Sequence, residues 1–318
     1  MEQWLYSLIP WGTEAILWVQ AQSNEALNSI SKFFTFLGYE EFYLLLLPFV
    51  YWCIDRSIGI RLGAIALSSA WLNGLVKHLF TIPRPADPRI QIPLPETSPS
   101  FPSGHSQNAI ANWGYLAIRF RSRLMGAVAL IAILGISVSR IVLGVHFPQD
   151  VIGGWLIGLT LLAIWVWAEP GVLGWIAARP RTLQLALAVG VPLLLVFLHP
   201  ADAAGRYPAE GSVVPMSTFL GLGVGVIMER TRVRFGVKGS WGRRALRFGV
   251  GLILVAAAYA LPKLLLPEEL SYGWETMARI VRYGLLGWVV AFACPWLFVR
   301  LGLARREEEP HPAVVRGG

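Results

Sequence analysis

The chain is 318 residues long, 55% hydrophobic and only 14% charged, with a net charge of +8. Soluble domains hold about a quarter charged residues, so this composition excludes an ordinary water-soluble fold. The positive balance does not point to nucleic acid: no recognition module is present, and the basic residues cluster beside apolar runs. Cys53 and Cys294 lie singly in such runs, with neither a disulfide framework nor zinc-ligand spacing.

In chain order, residues 1–38 come first. Trp4, Leu5, Leu8, Ile9 and Trp11 alternate loosely with polar groups, Pro10 interrupts, and Gln20, Gln22, Asn24, Glu25 and Asn28 argue against a span. The segment reads as an amphipathic stretch lying in the membrane interface. It lacks the basic start and short apolar stretch of a cleaved signal peptide, so the spans themselves are expected to direct insertion. Nine apolar runs of near-bilayer length follow, at about 39–54, 58–81, 104–119, 124–143, 149–168, 183–199, 213–229, 245–262 and 281–299. Between the second and third, residues 83–103 carry seven prolines. Proline cannot continue a helix, so this is a long loop, and long loops in compact proteins are often functional.

Orientation follows from the basic residues. Arg56 and Arg61, then Arg119, Arg121 and Arg123, then Arg179 and Arg181, then the basic segment 230–247, then Arg300, Arg305 and Arg306 all fall on one face. The positive-inside rule makes that face cytoplasmic, with the C-terminus inside and the N-terminal segment outside.

Three polar clusters then share the opposite face. Lys77 lies at the end of the second span and Arg84 just beyond it, Ser103, Gly104 and His105 open the third, and Arg140 ends the fourth, followed by His146 and by Asp150 at the start of the fifth. Singly, each has a plain explanation: a lysine or arginine near a span end snorkels, and a histidine at a helix start caps it. Together, three cations, two histidines and a carboxylate at one membrane depth are expensive without a function. They suit phosphoryl transfer, in which a phosphomonoester brings nearly two negative charges that need donors throughout the displacement. Lys77, Arg84 and Arg140 would supply that field, and Gly104 at a helix N-terminus would allow close backbone approach of the anion. Ser103 could add a hydroxyl donor. His146 and Asp150, four residues apart, are expected on one helical face. Asp150 would then fix the tautomer of His146 and leave its other nitrogen free to attack, with His105 as the general acid. No carboxylate cluster offers itself to a metal pair, so the expected chemistry needs no metal and no cofactor.

These residues resemble the type 2 phosphatidic acid phosphatases, a superfamily that includes the vanadium haloperoxidases. The family pattern runs from a lysine over six residues to Arg-Pro, then Pro-Ser-Gly-His, then Ser-Arg, five residues, His, three residues and Asp. Here it reads Lys77 to Arg84-Pro85, Pro102 to His105, and Ser139-Arg140 through His146 to Asp150, with every position matched. The resemblance implies an all-α polytopic protein with a six-helix core at 39–200; the apolar runs add about three further transmembrane helices in an extension at 201–318, which lies outside the family pattern and to which no catalytic role carries over. It implies that His146 forms a phosphohistidine, that Asp150 supports it, that His105 protonates the leaving group, and that Lys77, Arg84, Ser103, Gly104 and Arg140 bind phosphate. The run from Gly38 to Tyr43 and the proline-rich loop look similar to bacterial members related to sphingosine-1-phosphate phosphatases.

The expected partner is a lipid phosphate presented at the outer leaflet. For a bacterial inner membrane the leading candidate is undecaprenyl diphosphate, with phosphatidic acid, phosphatidylglycerol phosphate and sphingosine-1-phosphate also open. A phosphotransferase on the same site and a lipid transporter or flippase that kept the fold are the competing readings. Ile90, Ile92 and Leu94 either touch acyl chains or simply pack the loop. The small-residue stretch Gly221–Gly225 would allow close helix approach, within the chain or in a homodimer. The basic segment 230–247 is expected to anchor topology and meet anionic lipid.

Overall fold

A computed structural model describes residues 2–202, 205–265 and 271–307. The chain is helical, and no strand forms among the described residues. In order the helices are α1 (Glu2–Ser7), α2 (Ile9–Ala21), α3 (Glu25–Phe36), α4 (Glu40–Phe49), α5 (Arg56–Leu79), α6 (Gly104–Ala109) and α7 (Tyr115–Phe120). Then follow α8 (Arg123–Val142), α9 (Pro148–Ala177), α10 (Arg181–Leu198), α11 (Glu210–Arg232), α12 (Trp241–Leu265), α13 (Tyr272–Trp288) and α14 (Cys294–Arg300). Wide π turns at Val50–Ile54, Ile110–Gly114 and Val289–Ala293 continue α4, join α6 to α7, and join α13 to α14.

Among the described residues, seven helical units are long and apolar enough to cross a membrane, and the bent pair 25–36 and 40–54 would make an eighth. The third expected span is the α6–α7 unit, at 104–120 near the lower length for a crossing. Large apolar side chains on the outer faces remain exposed, among them Leu156, Leu159, Ile164 and Trp167 of α9. In water such a surface would aggregate; against lipid tails it is the expected exterior. The protein is therefore an integral membrane protein. The expected cytoplasmic C-terminus falls at 308–318, outside the described residues.

Short polar caps start the helices where the sequence turns. Asn24, Asp55 and Ser122 accept the backbone N–H three residues on, from Leu27, Ile58 and Met125. Proline starts α9: Pro148 occupies the first turn, and the residue before it, Phe147, is extended.

The N-terminal helices pack onto the bundle. Ile16 is fully buried with Ile90 and Phe147. Gln20 donates to the carbonyls of Gln91 and Val142 and accepts from the Gln91 N–H, tying α2 to the loop and to α8. Gly135 of α8 lies flat against Phe34 of α3, where a Cβ would come within 2.3 Å of the ring. Ile90 is thus loop packing, not an acyl-chain contact.

The extension is bolted to the core through the end of α4. Trp52 is fully buried, donates from Nε1 to the Val290 carbonyl at 3.0 Å, and lies against Gly251. Tyr51 donates to the Ala291 carbonyl at 3.0 Å. Arg247, also fully buried, donates to the Trp52 and Gly236 carbonyls. Small residues bring α11 and α13 together: a Cβ on Gly221 would meet the Gly284 carbonyl at 1.8 Å, and one on Gly287 the Thr218 carbonyl at 2.2 Å. The Gly221–Gly225 stretch is therefore used within the chain. Gly221→Ala should lower stability by about 1–3 kcal/mol in thermal unfolding of the purified protein. Gly249→Ala in α12, where a Cβ meets nothing within 4 Å, should be neutral or slightly stabilising.

Candidate active site

Three cations and two imidazoles from distant parts of the chain are held by the ends of α5, α6, α8 and α9 and by the proline-rich loop. Lys77 ends α5 and is buried; its ammonium donates to Ser98 Oγ at 3.2 Å and to the Pro99 carbonyl. Arg84 spreads its guanidinium more widely. Nε donates to the Ser98 carbonyl at 2.7 Å, and Nη2 donates to Ser98 Oγ and pairs with Glu96 at 2.6 Å. Nη1 donates to the Val145 carbonyl at 2.8 Å and lies 3.2 Å from His146 Nε2. Arg140, with no exposed surface, donates to Thr35 Oγ1 of α3 and to the second oxygen of Glu96.

Those contacts fix the state of His146. A guanidinium can only donate, so Nε2 is the unprotonated nitrogen and Nδ1 carries the hydrogen. Nδ1 faces Asp150 Oδ2 at 3.4 Å. The same oxygen accepts from Ser100 Oγ at 2.5 Å and from the Phe147 N–H at 2.9 Å. Asp150 thus caps the start of α9 and holds His146 at once. His146 itself precedes the helix, which begins at Pro148, so the two residues do not share a helical face; the N-terminal turn brings them together instead.

His105 is the second residue of α6, after the Ser103 cap, whose buried hydroxyl accepts from the N–H and the hydroxyl of Ser106. The His105 ring stands edge-on to Tyr39 at 4.9 Å and leans on Gly38, where a Cβ would approach its Cδ2 to 2.4 Å. Its Nε2 is buried without a protein partner, within electrostatic reach of Arg140, Arg84 and Lys77. Gly104 faces Asn73 of α5, where a Cβ would come to 2.9 Å from Oδ1, so its smallness serves helix packing. Asn73 in turn donates to Gln107, which donates back to Ser69, and this buried amide chain supports the start of α6.

The polar residues that the motifs do not contain are Thr35, Glu96, Ser98 and Ser100, with Gly38 and Tyr39 against His105. For the loop residues the signal was present: a glutamate and two serines between prolines, in the one long loop beside the clusters. Thr35, Gly38 and Tyr39 carry no chemical signal of their own. Among the described residues, no three His, Cys, Asp or Glu side chains are grouped to hold a metal ion.

Such a bundle, with three cations gathered around a buried imidazole, defines a polytopic helical membrane protein. The family model of the PAP2 superfamily matches residues 58–172, and that of the PAP2 superfamily phosphatase transmembrane extension matches 213–306, together well over half of the chain. The chain belongs to the PAP2 superfamily.

It is 28% identical over 205 residues to a dihydrosphingosine 1-phosphate phosphatase of Schizosaccharomyces pombe, covering 59% of this chain and 49% of that protein. It is 36% identical over 83 residues to phosphatidylglycerophosphatase B of Escherichia coli K12, covering 25% and 32%. The crystal structure of a transmembrane PAP2 type phosphatidylglycerolphosphate phosphatase from Bacillus subtilis overlays with a TM-score of 0.46 at 23% identity, covering 52% of this chain and 88% of that one. The chain spans about half the length of the first curated relatives it matches.

Burial, then the charges of Arg84, Arg140 and Lys77, push the His146 pKa well below the ordinary histidine value. Nitrogen NMR of histidine-labelled protein should find this ring neutral at and below about pH 6.5. Arg84→Met removes a repelling cation and should move the titration upward.

Proposed function

We propose that the protein is a lipid phosphate phosphatase that works through His146 without a metal ion. The observation that carries the reading is the 3.2 Å contact between Arg84 Nη1 and His146 Nε2. It marks Nε2 as the unprotonated nitrogen, its lone pair held by Arg84 until a phosphate oxygen draws that guanidinium away and frees the nitrogen to attack.

In the proposed reaction Arg84, Arg140 and Lys77 neutralise the phosphate oxygens, with Ser103 and the start of α6 adding donors. His146 Nε2 attacks phosphorus in line with the departing lipid oxygen. The P–N bond forms, the P–O bond breaks, and His105, protonated once the bound phosphate offsets the three cations around it, gives that proton to the leaving alkoxide. Asp150 stabilises the cationic ring through Nδ1–H. A water then attacks the phosphohistidine, His105 takes its proton, the P–N bond breaks, and inorganic phosphate leaves. Because His146 resists protonation, the nucleophile is ready at neutral pH.

The substrate is proposed to be a lipid with a terminal phosphomonoester, in keeping with the relatives named for sphingosine phosphates and phosphatidylglycerophosphate. It would enter laterally from the outer leaflet, with the basic segments on the cytoplasmic side. Undecaprenyl diphosphate is the alternative within the same chemistry, and a head-group panel separates them.

The test is phosphate release by purified protein. Wild type should turn over sphingosine 1-phosphate or phosphatidic acid unimpaired in EDTA, and His146→Ala should lose at least about a thousandfold in kcat. Activity that vanishes in chelator and returns with magnesium, or that survives in His146→Ala, would contradict the mechanism.

A further inference from the structure

Both oxygens of the Glu96 carboxylate are committed. Oε2 pairs with Arg84 Nη2 at 2.6 Å, and Oε1 takes the hydrogen bond from Arg140 Nη2. These are two of the three cations that the proposed reaction gives to the phosphate. The remaining donors of Arg84 are taken by Ser98, Val145 and His146, and Arg140 Nη1 by Thr35. A carboxylate and a phosphate present oxygens to a guanidinium in the same forked way, so they compete for the same hydrogens.

Glu96 sits in a loop segment held at both ends. Upstream it is pinned where Gln20 brackets Gln91. Downstream it is pinned at Ser100, whose N–H donates to the Ile82 carbonyl and whose hydroxyl donates to Asp150. Glu96 lies between these pins with a quarter of its side chain exposed (24%), so rotation of that side chain alone can carry the carboxylate to solvent.

We propose that Glu96 is an internal competitor of phosphate. Its carboxylate holds Arg84 and Arg140 together when no phosphate does, yields them to the incoming dianion, and reclaims them as inorganic phosphate leaves. It therefore sets the affinity of the site and helps clear product. The inference rests on the reading of Arg84 and Arg140 as phosphate ligands. The charges order the exchange: one carboxylate charge neutralises two guanidiniums incompletely, whereas a phosphomonoester brings nearly two charges and more acceptors. The apparent dissociation constant of any phosphate rises by the inverse of the fraction of sites that Glu96 leaves free.

The experiment is calorimetric titration of inorganic phosphate into detergent-solubilised full-length protein. Glu96→Gln keeps the shape and removes the charge; it should tighten phosphate by about tenfold. Glu96→Asp, which keeps the charge, should stay nearer wild type. Wild type that binds phosphate while Glu96→Gln binds it equally or more weakly would overturn the inference and leave the site assignment standing. If neither binds phosphate, the assignment of the arginines is wrong and the inference falls with it. Product inhibition gives a second readout should the calorimetric signal be small: the inhibition constant of phosphate should fall by the same factor in Glu96→Gln, and an unchanged constant would again overturn the proposal.

Discussion

A cation taken out of water must find an acceptor, and three cations lie together at the mouth of this bundle. Most of what they find comes from one stretch of loop, Glu96 to Pro99, with Thr35, the Val145 carbonyl and His146 Nε2 as the other acceptors. Leaving one buried charge unpaired would cost several kcal/mol, so loop and helix ends hold one another in place. The proline content of the loop fits this task. Prolines remove backbone donors that would otherwise need partners and limit the conformations the segment must give up on folding.

The same constraint governs the opposite end of the core. Glu169 of α9 is buried and pairs with Arg61 of α5 at 2.7 Å and with Arg119 of α7 at 2.5 Å. Glu229 of α11 is buried and pairs with Arg56 at 3.2 Å, joining the extension to the core. The basic residues that set topology in the sequence thus include several spent on buried pairs. The described end of the extension closes on itself as well, where Gly236 and Arg305 share a backbone hydrogen bond beside the fully buried Phe235.

How far the sequence could be read depends on where each signal lies. Helices and apolar runs were visible because bilayer-length hydrophobicity is local, and the motif residues stood out because their types and spacing are specific. His146 was set on a helical face with Asp150 because the spacing allowed it; Phe147-Pro148 starts the helix after His146, and that pair of residues was the available clue. The smallness of Gly104 also serves packing against Asn73, an interaction between segments that no local pattern encodes. Thr35 reaches Arg140 across 105 residues, from a segment that reads only as lying in the interface, and Tyr39 reaches His105 from the start of the first expected span. Glu96 stands in the long loop beside the clusters, but its pairing with two arginines is a contact between distant segments that the loop's own sequence does not encode.

Every step of the proposed reaction depends on His146 Nε2 as the atom that receives phosphorus. Brief mixing of purified protein with a phosphate-labelled lipid in EDTA, quenching under conditions that preserve phosphohistidine, and mapping the labelled peptide tests this most directly. The label is predicted on His146 and absent from His146→Ala. A label carried by another residue, or continued turnover by protein that never carries one, would contradict it.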